Sequence, residues 1–182
     1  MVLTITIGGL HGTGKTTVAE MLARNLGLRH VSAGELFRRI AKERGLSLSD
    51  LSMKASEKDH LDKLVDERTK EEAQKGGAVI DGQLAAWMGG ENVDLKFFLF
   101  ASEEVRLARI ARRDRCTREE AKRATYLRED LERRRFKKFY GIDIDDRSIY
   151  DLTLNTGLLS PRGNVQILEC FARAYMKERR LP

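Results

Sequence analysis

The stretch GGLHGTGKTT, which begins at Gly8, follows an apolar run, LTITI, that starts at residue 3. It leads into VAEMLARNLG, whose apolar residues recur at helical spacing. Glycine is a poor helix former, so four glycines placed between a strand and a helix serve a backbone shape that side chains would obstruct. Gly9, Gly14, Lys15 and Thr16 complete the pattern G-x-x-x-x-G-K-[ST] in the strand–loop–helix setting that the pattern requires. A chain that opens this way is committed to a β-loop-α unit with an anion cradle at its bend.

The physics of that bend is specific. Residues Gly9, Leu10, His11, Gly12, Thr13, Gly14, Lys15, Thr16 and Thr17 can curl so that successive N–H groups converge on phosphate. The helix that follows aims its free N–H groups and positive dipole end at the same point. Lys15 then reaches the β- and γ-phosphates of ATP, and the Thr16 hydroxyl is placed for Mg²⁺. A merely connecting glycine-rich turn is the alternative, and the strand–loop–helix context argues against it. We read the stretch as a P-loop.

Strand signals fall at residues 3–8, 78–82, 95–101 and 150–156, with a weaker one at 29–33. Helical patterns separate them at 16–26, 35–44, 57–75, 103–114, 118–138 and 161–179. This alternation predicts an α/β protein of the P-loop NTPase fold: a parallel sheet covered by helices on both faces. Ser32-x-x-Glu35 and Thr117-x-x-Glu120 have capping-box form, and Ser160-Pro161 supplies an N-cap with proline at the first turn. Residues 1–182 read as one domain with two helical excursions, an acceptor-binding one at about 33–76 and a lid at about 110–148. Excursions that leave the carboxyl ends of parallel strands surround the ligand site. A phosphoryl-transferring enzyme needs such flaps to exclude water.

The charge balance sharpens the choice of ligand. The net charge is +6, which invites a nucleic-acid reading. Residues 106–138, however, hold 14 Lys/Arg against 6 Asp/Glu, and the remainder holds 20 basic against 22 acidic residues. A local cationic arm on a slightly acidic body suits nucleotide phosphates better than a duplex track. No nucleic-acid partner is expected. No apolar run reaches the roughly 18 residues of a membrane span, and no signal-peptide pattern precedes the first strand, so the expected location is the cytoplasm. Cys116 and Cys170 are read as free thiols there. The oligomeric state is left open, a monomer being compatible with all of this.

A GTPase would carry an N-K-x-D guanine reader, and the nearest stretch, Asn155-Thr156-Gly157-Leu158, lacks its Lys and Asp. Motor and AAA-type ATPases have longer cores and adjacent acids after the Walker-B strand, whereas AVID ends in one. A small-molecule kinase fits the length. Beyond the P-loop, VSAGELFRR, VIDGQLAAW, SEEVRLARIARRDR and the run from REDLERRRFKKFYGIDIDD to YDLTLNTG together resemble the cytidylate kinase family, in its archaeal form. The resemblance spans nearly the whole chain in the family's order. It implies ATP- and Mg²⁺-dependent phosphorylation of CMP and dCMP by a nucleoside-monophosphate kinase fold.

The same resemblance implies roles for particular residues. Ser32, Gly34 and Arg38 match an S-x-G-x-x-x-R acceptor element in which the arginine grips the monophosphate. Ser32 is also a plain N-cap candidate, and Arg39 beside Arg38 would serve a solvated helix face as well. Asp81 ends an apolar strand where a Walker-B acid holds a Mg²⁺-bound water, although Asp-Gly is also a turn signal. The family more commonly has arginine where Gln83 stands; the amide can still donate to a pyrimidine O2 or N3. Arg109, Arg112 and Arg113 form a lid cluster, from which Arg109 and Arg113, with Arg135, are expected to stabilise the transferring phosphoryl group. Arg128, Glu132 and Arg135 share one helix face and are assigned to the acceptor, against the simpler reading of surface i,i+4 pairs. Trp87 and Phe97, Phe98 and Phe100 read as core. Kinases for another acceptor (AMP, UMP or shikimate) and an RNA-associated P-loop ATPase are the rival readings.

Overall fold

The computed structural model describes residues 2–46, 50–51 and 60–180. Among them, β1 (Ile5–Gly8), β2 (Arg29–Ser32), β3 (Ala78–Asp81), β4 (Leu95–Phe100) and β5 (Leu152–Asn155) form one parallel sheet. The strand order is β2-β3-β1-β4-β5. The helices are α1 (Lys15–Leu26), α2 (Ala33–Glu43), α3 (His60–Lys75), α4 (Ala85–Gly89), α5 (Glu103–Asp114), α6 (Arg118–Tyr140) and α7 (Pro161–Arg179). Every expected strand and helix is present, with ends shifted by a few residues; residues 57–59 of the expected third helix lie outside the described residues. The short α4 and the 3₁₀ turn Gly90–Asn92 after it were not expected, because five residues are too few to show a helical period.

Period-two alternation explains why both faces are covered. Val79 of β3 packs with Ile5 and Ile7 of β1, Phe97 and Leu99 of β4, and the inner faces of α1 and α7. Its neighbours Ala78 and Ile80 instead join Ala73 of α3 and Ala85 of α4. Successive strand side chains point to opposite faces, so one apolar strand serves both layers. Phe97 and Phe98 are buried as expected, while Trp87 is half-buried, edge-on to Tyr150.

The helix starts behave as capping chemistry dictates. Thr117 and Glu120 make the full reciprocal box at α6, and Ser160 caps α7 with Pro161 in the first turn. At α2 the Ser32 hydroxyl accepts from the Glu35 N–H at 3.2 Å, so the expected cap is present through Ser32. Each excursion contributes to a small apolar cluster. Phe37, Ile40, Ala41 and Leu51 cluster in the first, with Val65 against them. In the second, Phe136 and Ile144 pack with Leu84 and, from the P-loop, Leu10. Parallel register sets Ser32 opposite Asp81 and Ile7 opposite Asp81, so the first bend, the start of α2 and the end of β3 gather at one end of the sheet.

Candidate active site

The loop after β1 has the backbone its glycines imply. Gly9 and Gly12 have φ of 137° and 78°. A Cβ at Gly9 would stand 2.2 Å from the Leu99 carbonyl oxygen, and one at Gly12 would stand 2.6 Å from that of Arg106. Backbone cannot yield as a flexible side chain can, so both positions require glycine. Inside the loop the Lys15 ammonium donates to the carbonyls of Gly9 (2.7 Å) and Leu10 (2.9 Å). Burial lowers its pKa from 10.5 to about 8, against the opposing pull of Asp81 and Glu132.

Next to it the Thr16 hydroxyl donates to Asp81 Oδ2 at 2.8 Å, and Ser32 Oγ donates to the same oxygen at 3.2 Å. His30 Nε2 contacts the other oxygen, Oδ1, at 2.9 Å, and this hydrogen bond raises the imidazole's pKa. His30 was absent from the sequence reading. The signal existed: His30 and Ser32 lie two apart on β2 and therefore share a face. Thr16 and Asp81 offer hard oxygen donors side by side, the chemistry Mg²⁺ accepts while keeping several waters.

A cleft of about 730 Å³ opens over this end of the sheet, lined by the P-loop, the start of α2, Gln83 and the arginines of α5 and α6. Arg38, Arg109, Arg112, Arg113, Arg128 and Arg135 all line it. The structure thus brings the predicted site residues Lys15, Thr16, Thr17, Gly34, Arg38, Asp81, Gln83, Arg109, Arg113, Arg128, Glu132 and Arg135 to one cavity, with Ser32 bonded to Asp81 at its edge. Within the cleft, three of them make contacts that the sequence does not disclose.

Arg109 donates to Thr156 through both its hydroxyl (3.0 Å) and its carbonyl (2.8 Å), and reaches the Gly12 and Thr13 carbonyls at 3.4 and 3.5 Å. It ties the P-loop to the turn after β5. Arg113 grips its own neighbour Asp114 at 2.7 and 2.8 Å with its side chain 45% exposed. Glu132, by contrast, is only 4% exposed, so the surface-pair reading of this helix face fails. It accepts from Arg128 at 2.8 Å, the expected i,i+4 partner, and from His11 Nε2 at 2.6 Å. Burial alone would push the Glu132 carboxyl up, but its contact with His11 and the charge of Arg128 outweigh that and hold the group well below the carboxylate range.

A second acid one turn earlier was missed. Glu129 is buried, accepts from Arg106 Nη1 at 2.6 Å and from the His11 backbone N–H at 3.2 Å. Arg106 also donates to the His11 carbonyl at 2.8 Å. The P-loop is thereby stapled to α5 and α6 through one residue's N–H, carbonyl and ring. Arg106 and Glu129 come from different helices, and no local pattern announces such a pair.

The five-stranded order, the loop and its lysine, and the basic cleft define a member of the P-loop kinase fold class. Solved structures agree: the fold matches shikimate kinase from Acinetobacter baumannii (TM-score 0.62, 18% identity, 96% of this chain and 95% of that one). It also matches a gluconokinase from Sinorhizobium meliloti (TM-score 0.61, 14% identity, 97% and 95%). Sequence is more specific. The model of the cytidylate kinase-like family matches residues 4–158. The cytidylate kinase of Staphylothermus marinus is 44% identical over 174 residues, 96% of this chain and 98% of that protein. That of Methanocaldococcus jannaschii is 42% identical over 167 residues, 90% and 94%. The chain belongs to the cytidylate kinase-like family.

Proposed function

We propose that this protein is a cytoplasmic, single-domain nucleoside-monophosphate kinase that transfers the γ-phosphoryl group of ATP to CMP and dCMP. The observation that carries the reading is the convergence of six arginines on a cleft whose floor is the P-loop, in a chain of the cytidylate kinase-like family. One polyanion needs the loop; two facing each other need the arginines as well.

In this reading the loop N–H groups and Lys15 hold the ATP phosphates. Thr16 and, through water, Asp81 would hold Mg²⁺, which would supply charge neutralisation to the phosphates. Arg38 and Arg128 hold the CMP phosphate, with Ser32, Gly34, Gln83 and Glu132 around its sugar and base. Arg109, Arg113 and Arg135 stabilise the equatorial oxygens of a loose transition state. For this, Arg113 exchanges Asp114 for phosphate as the lid closes. The acceptor phosphate oxygen is already ionised at neutral pH, so in-line attack needs no general base. The 110–148 lid excludes water, which would otherwise compete as nucleophile.

The absence of any helix long and apolar enough to cross a membrane among the described residues is compatible with this setting. The test is ADP release from Mg-ATP. Release that requires CMP or dCMP supports the kinase. Release stimulated by RNA without a small acceptor supports the tethered-ATPase alternative, and release triggered by shikimate instead reassigns the acceptor.

A further inference from the structure

His11 is a P-loop residue by its backbone, yet its side chain belongs to the other half of the cleft. Nε2 lies 2.6 Å from Glu132 Oε2 and 3.2 Å from Gln83 Nε2. Both partners are residues assigned above to the acceptor. The ring side chain is only 15% exposed and that of Glu132 5%.

The chemistry of the contact is determined. A carboxylate only accepts, so with Glu132 ionised the hydrogen sits on Nε2. Burial, the largest influence on the ring, lowers its pKa despite the pull of Glu132, with the Arg128 and Lys15 charges acting in the same direction as burial. A neutral ring protonated at Nε2 therefore donates to Glu132. An N–H cannot accept from a second N–H, so we assign the Gln83 amide oxygen, rather than the nitrogen, to the 3.2 Å contact with this ring nitrogen. Its NH₂ then takes the buried position of Oε1, which has no hydrogen-bond partner among the described residues. Glu132 in turn orients Arg128, whose guanidinium lies 5.4 Å from the centre of the Phe37 ring on α2. One P-loop side chain thus organises α6, the segment after β3 and, through Arg128, the acceptor excursion.

We propose that His11 is a positioning residue for the acceptor nucleotide, setting Glu132 and the Gln83 amide, and that its side chain contributes little to holding ATP. The proposal rests on the assignment of these residues to the acceptor. A histidine at this loop position then makes acceptor affinity and base selectivity properties of the P-loop sequence.

The experiment measures KM for both nucleotides, and direct CMP binding by titration calorimetry, in His11→Ala, His11→Asn and His11→Gln. Loss of a hydrogen bond to an ionised group corresponds to about tenfold or more. His11→Ala and His11→Asn should raise acceptor KM and Kd by about that factor, with ATP KM within about twofold. His11→Gln, whose amide N–H extends to the reach of Nε2, should recover most of the loss. Glu132→Gln should show the same acceptor-selective rise, and the double variant should be no worse than either single one. Should His11→Ala fail to fold, the difference between His11→Asn and His11→Gln still decides. An ATP-selective rise, unchanged constants, or Asn matching Gln would overturn the proposal. If the wild type uses another monophosphate in place of CMP, the assigned function fails, while the same split measured with that acceptor still judges His11.

Discussion

The Thr16 hydroxyl donates to Asp81 Oδ2 across 2.8 Å, joining the first turn of α1 to the end of β3. Parallel pairing of β1 with β3 creates this contact, since Ile7 lies opposite Asp81 in the register. The two oxygens form the Mg²⁺ half of the proposed site. Asp81→Asn keeps the shape and removes the charge. It should raise the Mg²⁺ concentration for half-maximal activity and lower kcat at least tenfold, about 1.4 kcal/mol. A Mg²⁺ titration of wild type and variant checks this; superimposable curves would remove Asp81 from the metal site.

Lys15 carries a pH signature. Its pKa in the free protein is lowered to about 8 by burial, and bound phosphates favour the charged form. ATP binding therefore takes up a proton as pH rises through about 8, and ATP affinity declines over the same range. Calorimetry at pH 8–9 in buffers of different ionisation enthalpy measures that proton directly. In Lys15→Met the uptake should vanish and kcat should fall roughly 10²-fold or more, ~3 kcal/mol. Near-wild-type turnover in this variant would sink the P-loop assignment.

These two residues show what one chain discloses by itself. The P-loop was legible because its function is a backbone shape, and a backbone shape demands glycines at fixed spacing. The sheet was legible because LTITI and AVID are short, β-branched and bounded by glycine or acid. The site's cross-links were not. His11–Glu132 spans 121 positions and Arg106–Glu129 joins two helices, and side-chain pairs of this kind leave no periodic trace. Glu132 shows this best: its i,i+4 arginine is compatible with an exposed pair as well as with a site, and only its burial against the P-loop separates the two.

The stability of the first excursion depends on Glu72. This α3 carboxylate is buried, accepts from Lys75 at 3.0 Å and pairs with Arg29 of β2 and, at 2.8 Å, Arg68. The hydrogen bond from Arg29, followed by that from Lys75, lowers its pKa from 4.5 to about 2. The unfolded chain thus binds a proton that the folded chain does not between those values. The contribution is complete above about pH 4.5 and is lost as pH falls toward 2. Its partners are half-exposed, so Glu72→Gln should cost only ~1–2 kcal/mol at pH 7. The difference should narrow on acidification in chemical denaturation at pH 7, 5 and 3; a constant gap would contradict the assignment.

Closure of the 110–148 segment should be visible by limited proteolysis. Arg113 is bonded to Asp114 rather than to the P-loop, leaving it to be recruited by phosphate. Cleavage within the segment should slow markedly when an ATP–CMP bisubstrate mimic is bound. Equal cleavage rates with and without the mimic would mean a rigid part of the body.

The central claim is the identity of the acceptor. Cytosine offers an N4 donor with N3 and O2 acceptors, uracil reverses the first two, and purines need a wider slot. Glu132 and the Gln83 amide supply an acceptor and a donor in the cleft. Each group left unpaired against a wrong base costs ~1–3 kcal/mol, so two mismatches give roughly 10²-fold selectivity or more. The decisive measurement is kcat/KM for each nucleoside monophosphate at saturating Mg-ATP. CMP and dCMP should be the best acceptors, UMP much weaker, and AMP and GMP the weakest. AMP equal to or better than CMP would contradict the account, leaving the P-loop and its ATP but assigning the arginine-lined half of the cleft to a different nucleotide.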